Sequence, residues 1–68
     1  MQERTISDRI REERCKNKKT VIQLARELHV GRATIYRWES NKSEPTASDL
    51  SRLSDALHVS CDYLVKGK

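Results

Sequence analysis

A chain of 68 residues has room for one hydrophobic core, so a single domain over residues 1–68 is expected, with its core at about 6–65. Its net charge of +4 is uneven: residues 1–42 hold eleven Lys/Arg against six Asp/Glu (+5) and residues 43–68 three against four (−1), which favours an anionic partner, nucleic acid before a membrane surface. Periodic Leu, Ile and Val argue against disorder despite 35% charged residues, and no apolar run is long enough for a signal peptide or membrane span, which points to the cytoplasm.

Five helices are predicted, each with a start signal. Thr5 with Asp8 three residues on caps the first, in which Ile6 and Ile10 recur at i, i+4 as far as about Cys15. After the polar loop Lys16-Asn17-Lys18-Lys19, Thr20 and Gln23 form a capping box. Val21, Leu24, Ala25 and Leu28 then make one apolar stripe. The third helix follows Gly31, a tolerable N-cap, and ends near Ser40, where Asn41 suits a left-handed turn. Beyond Pro45, Thr46 and Asp49 open a fourth helix with Leu50, Leu53 and Leu57 inward. Ser60 caps a short fifth, Cys61 to about Val65, with Leu64 inward. There is no period-2 run and no hairpin signal, so the fold class is all-α.

Leu-His-Val closes both the second and the fourth helix, one turn used twice, and His29 and His58 sit where a positive φ is common. Cys15 and Cys61 are a lone pair without a CxxC, and a structural zinc site needs four ligands. No metal and no cofactor are expected, and both cysteines are read as reduced thiols.

The functional signal lies in the second and third helices. Two helices joined by His29-Val30-Gly31 make a helix-turn-helix, whose second helix enters the DNA major groove. On a helix from Arg32, residues 35, 38 and 39 lie on one side and 32, 33, 36 and 37 on the other. Ile35 and Trp38 turn inward, while Arg32, Ala33, Tyr36 and Arg37 turn outward as candidate base-reading residues. Arginine can fork onto guanine, and a small Ala permits close approach and contact with a thymine methyl. Thr34, Asn41 and Lys42 are candidate phosphate contacts. The bland alternative for Arg32 and Arg37, a solvated helix face, does not explain why so lean a chain holds that face up on a tight turn.

These pieces resemble the phage-repressor (Cro/cI-like, also called XRE-like) helix-turn-helix family over essentially residues 6–65. The motifs are "IxxRIRxxR" from Ile6 to Arg14, "TxxxLAxxLxV" from Thr20 to Val30, "RATIYRWESNK" and "PTASDLSRLSDALHVSCDYL". "GRATIYR" alone also resembles the DNA-binding tail of resolvase-type recombinases, but those tails usually end near the recognition helix, whereas two capped helices follow here. The resemblance implies a compact five-helix repressor-like domain. Arg32, Ala33 and Arg37 would read bases, Thr34 would touch phosphate, and Arg14 and Glu39 would form a structural ion pair tying the first helix to the third. An acid on the Ile35/Trp38 side needs such a partner on physical grounds as well.

Three departures from the family's pattern stand out: Val21 where Gln usually meets phosphate, Lys19 where Leu is common, and both His29 and His58 where Gly is usual. The first weakens any phosphate contact by the second helix. The others point to a looser join between the first two helices, with Ile22 or Cys15 filling the gap.

A small DNA-binding transcriptional regulator is therefore expected. The alternative is a protein-interaction module, such as an antitoxin or a repressor partner, for which Ile22 is the exposed apolar contact. Nothing supports an enzyme: there is no Ser/His/Asp arrangement, metal spacing or phosphate-binding loop. A homodimer on an inverted repeat is expected, joined at the near-neutral end, with Tyr63 and Val65 as candidate exposed dimer contacts.

Overall fold

The computed structural model describes residues 5–67; the ends of the expected 1–68 domain, residues 1–4 and 68, lie outside them. The chain folds as α1 (Ile6–Lys16), α2 (Val21–Leu28), α3 (Arg32–Glu39), α4 (Ala47–Leu57) and α5 (Cys61–Lys66), with no strand among the described residues. None of these helices is long and apolar enough to cross a membrane.

Local chemistry sets the helix starts. Thr5 Oγ1 accepts from the Asp8 N–H and Asp8 accepts from the Thr5 N–H, both at 3.2 Å. Thr20 with Gln23 and Thr46 with Asp49 repeat this reciprocal box, and Ser60 Oγ accepts from the Tyr63 N–H. Each box satisfies two backbone N–H groups that the helix itself leaves open.

Four helix ends share one geometry as well. Lys18, His29, Asn41 and His58 turn left-handed at φ 57, 56, 65 and 59. The following N–H then reaches back: Lys19 to the Arg14 carbonyl, Val30 to Ala25, Lys42 to Arg37 and Val59 to Ser54, all at 3.0–3.1 Å. Glycine usually takes this turn, because a Cβ crowds the backbone there. None of these four is glycine.

The core is Ile10 from α1, Leu24, Ala25 and Leu28 from α2, Ile35 and Trp38 from α3, Leu53 and Leu57 from α4, and Leu64 from α5. Every helix contributes, and truncating any of the fully buried leucines is expected to cost about 2–5 kcal/mol.

Polar side chains complete the joins by capping helices other than their own. Arg9, itself buried, donates from Nε to the Leu64 carbonyl at 2.7 Å and from Nη2 to that of Val65 at 2.8 Å. Arg52 Nη1 donates to the Leu28 carbonyl at 2.7 Å, and Asn17 Nδ2 to that of Leu57 at 3.2 Å. These carbonyls lie in last turns, where the helix has no N–H to offer them.

The join between α1 and α2 differs from the expectation. Ile22 and Cys15 are both exposed and fill nothing. Lys19 makes the join instead: its carbonyl accepts from Arg14 Nη1 at 2.9 Å, and its Nζ reaches Glu27 Oε1 at 2.7 Å and the Ala56 carbonyl at 2.9 Å. A long side chain with an apolar stem and three donors does here what a leucine cannot.

Candidate nucleic-acid interface

α2 hands over to α3 through His29, Val30 and Gly31, and the left-handed His29 reverses the chain. Two buried residues, Ile35 and Trp38, then seat α3 on the α2 stripe, and they lie three apart. Their spacing leaves the opposite side of α3 facing solvent, with Arg32, Ala33, Tyr36 and Arg37 exposed and Thr34 half-buried. Tyr36 is 56% exposed, so its ring offers a broad outward surface.

Charge on that side follows from the one acid of α3. Glu39 is turned inward, its side chain 8% exposed, and it meets Arg14 of α1 in a two-point fork. The hydrogen bond to Glu39, more than its charge, holds the Arg14 guanidinium above its ordinary value. Neutralising Glu39 in this way leaves the outward side of α3 without an acid. Arg32, Arg37 and Lys42 have no hydrogen bond or ion pair from their side chains among the described residues. Arg9, Arg14, Arg52, Lys16 and Lys19 are all engaged with carbonyls or carboxylates. Lys18, Arg26 and Lys66 are likewise without side-chain partners, so the contrast is with the tied cations and does not single out α3 alone.

Beyond α3, Asn41 and Lys42 are exposed, and the Lys42 and Ser43 N–H groups both point at the Arg37 carbonyl, at 3.0 and 3.4 Å. Asn41 also takes a hydrogen bond on Oδ1 from Ser7 Oγ of α1 at 3.2 Å. Ser7, buried at 6% exposure, is a residue that the helical spacing does not single out. A polar residue between Ile6 and Ile10 was its only sequence signal.

At the opposite end, Val65 is 41% exposed. Tyr63 corrects the expectation of an exposed contact: it is half-buried against the core, and its hydroxyl donates to Glu13 Oε2 at 3.3 Å. Its phenol needs a partner once its ring packs inward, and Glu13, 50 positions away, supplies it. Among the described residues, no three His, Cys, Asp or Glu side chains gather as a metal site would require.

Comparison with known proteins places these features. The sequence model of the helix-turn-helix family matches residues 10–64. The chain is 37% identical over 67 residues to the repressor protein C2 of Salmonella phage P22, covering 98% of this chain and 31% of that protein. It is 36% identical over 63 residues to the HTH-type transcriptional regulator DicA of Escherichia coli strain K12, covering 93% of this chain and 47% of that protein. The chain thus spans a third to a half of the length of these two curated relatives. Among solved structures, the P22 c2 repressor in complex with synthetic operator 9T superposes with a TM-score of 0.92 at 36% identity, over 97% of this chain and all of that one.

Proposed function

Since the chain belongs to the helix-turn-helix family, in its Cro/cI-like (XRE-like) branch, we propose that it binds double-stranded DNA sequence-specifically as a transcriptional regulator, with α3 in the major groove. The domain is a non-enzymatic module. In this reading Arg32, Ala33, Tyr36 and Arg37 face base edges, and Thr34, Asn41 and Lys42 face phosphates. The observation that carries it is the acid-free outward side of α3, on which Arg32 and Arg37 stand without partners while Glu39 is held inward by Arg14. A merely solvated helix face has no need to hide its one acid. The related P22 c2 repressor has been solved in complex with a synthetic operator, which supports the same class of partner here.

Arg32→Ala and Arg37→Ala test it in binding titrations at several salt concentrations, on duplexes recovered from a genomic pull-down. Arg32→Ala is expected to relax specificity at one base pair by about 1–3 kcal/mol. A cation on phosphate, Lys42 or Arg37, is expected to lower the salt slope by about one unit when removed. Unchanged affinity in both arginine variants would sink the groove-face assignment. It would favour a protein-interaction module instead, with Ile22, 45% exposed on α2, as its contact.

A further inference from the structure

We propose that Ser7 is a positioning residue for DNA binding, acting through Asn41 to present an amide N–H to one phosphate. The inference rests on the groove-face reading above and names a second element, α1, as part of that site. Three observations on separate atoms carry it.

The backbone of Asn41 is fixed. It sits left-handed at φ 65, and the Lys42 and Ser43 N–H groups close the turn onto the Arg37 carbonyl. Its side chain is fixed as well, because Ser7 Oγ donates to Oδ1 at 3.2 Å from a position only 6% exposed. An amide whose oxygen is engaged inward has only Nδ2 left to present, a group with two donors and no acceptor. Nδ2 has no partner among the described residues, and Asn41 is exposed beside Lys42.

The consequence is a matter of sign. A free Asn side chain presents its oxygen and its nitrogen to an anion by turns, and one of the two faces is repulsive. Ser7 removes the repulsive face in advance and spares the amide the cost of being ordered on binding. A glycine at position 41 would close the same turn with less strain. The turn itself therefore requires no amide at position 41, and Lys18, His29 and His58 close the same turn without one.

The test uses an operator duplex from the pull-down in which single phosphates are replaced by neutral methylphosphonates. Wild-type protein is expected to lose about tenfold in affinity when the linkage beside the end of α3 is neutralised, the worth of one charge-assisted hydrogen bond. Asn41→Gly, which keeps the left-handed turn, is expected to bind the unmodified duplex about tenfold more weakly and to be indifferent to that linkage. Ser7→Ala is expected to lose part of the same dependence, and to add nothing in the Asn41→Gly background. Thermal unfolding of each variant separates this from a structural tie. A Ser7→Ala protein that melts lower yet keeps the full penalty at that linkage overturns the proposal, as does an Asn41→Gly protein with every wild-type phosphate dependence. Lys42→Ala and the two arginine variants tell the two readings apart. If they lose affinity while Ser7→Ala and Asn41→Gly do not, only this inference fails; if Arg32→Ala and Arg37→Ala bind like wild type as well, the groove-face reading fails with it.

Discussion

Arg14 of α1 and Glu39 of α3 meet fork to fork, Nε to Oε2 at 2.7 Å and Nη2 to Oε1 at 3.1 Å, with side chains only 15% and 8% exposed. The same guanidinium holds the Lys19 carbonyl at 2.9 Å, so one residue ties α3 and the start of α2 to α1. Such a pair orients the helix that carries the proposed groove face and also clears that face of its acid.

Removing one partner strands the other charge in a largely desolvated place. Arg14→Met and Glu39→Gln are each expected to cost about 3 kcal/mol in urea unfolding, the lower end for a broken buried pair because some solvent still reaches Arg14. The double variant is expected to lose clearly less than the two single losses added together. Additive losses would mean that the fork contributes no coupling and that each side chain acts alone.

Asp49 makes acid stability specific to one helix start. The Thr46 N–H, more than the Thr46 hydroxyl or Arg52, holds its carboxyl below the ordinary value of 3.8, against an opposing effect of burial. A depressed folded pKa stabilises the fold above the unfolded value and loses that contribution as pH falls through the folded one. The melting temperature of wild type is therefore expected to exceed that of Asp49→Asn by a constant margin at pH 5–7, as a rough window set by the ordinary carboxylate value, and the margin is expected to close below pH 3.8. A margin that stays open in acid would assign the effect to shape and not to charge.

His29 and His58 hold left-handed backbone, at φ 56 and 59, with side chains exposed. A Cβ costs roughly 1–2 kcal/mol in that region, and glycine gives back part of the gain by loosening the unfolded chain. His29→Gly and His58→Gly are each expected to raise stability by about 0.5–1 kcal/mol, and the pair to add, since the two turns close different helices. Loss of stability in either would show that the imidazole makes a contact worth more than the strain.

How much of this could be read beforehand depends on distance along the chain. The starts of α1, α2 and α4 were legible because a capping box spans three residues, Thr5 to Asp8, Thr20 to Gln23 and Thr46 to Asp49. The outward set Arg32, Ala33, Tyr36 and Arg37 was legible because Ile35 and Trp38 fix the helix phase. The cross-caps were not. Arg9 meets Leu64 across 55 positions and Arg52 meets Leu28 across 24, and no local pattern marks an arginine that will cap a distant helix. The half-burial of Tyr63 was missed for the same reason, since Glu13 lies far upstream. Ile22 and Cys15 stay exposed because Lys19 closes the gap between α1 and α2, and no local pattern marks its reach to Glu27 and Ala56.

Assembly on DNA is the last expectation, and it follows from how little one α3 can read. A helix of eight residues touches a few base pairs, too few to pick one site from roughly 10⁶ competitors in a genome. Two copies related by a two-fold axis double the reading and require an inverted repeat, with half-sites about 34 Å apart. The domain measures 33 × 23 × 22 Å, so two copies in contact can place equivalent α3 helices near that spacing. Like charge disfavours joining the +5 half to itself, which leaves the region after residue 43, where Val65 is 41% exposed. Tyr63, half-buried with its hydroxyl on Glu13, gives that surface less exposed area than Val65. Footprinting is therefore expected to show paired protections one helical turn apart, and sedimentation two chains per operator. Val65→Asp is expected to weaken binding to the full operator while leaving the affinity for an isolated half-site unchanged. A single short protection holding one chain, with Val65→Asp indistinguishable from wild type, would refute the dimer.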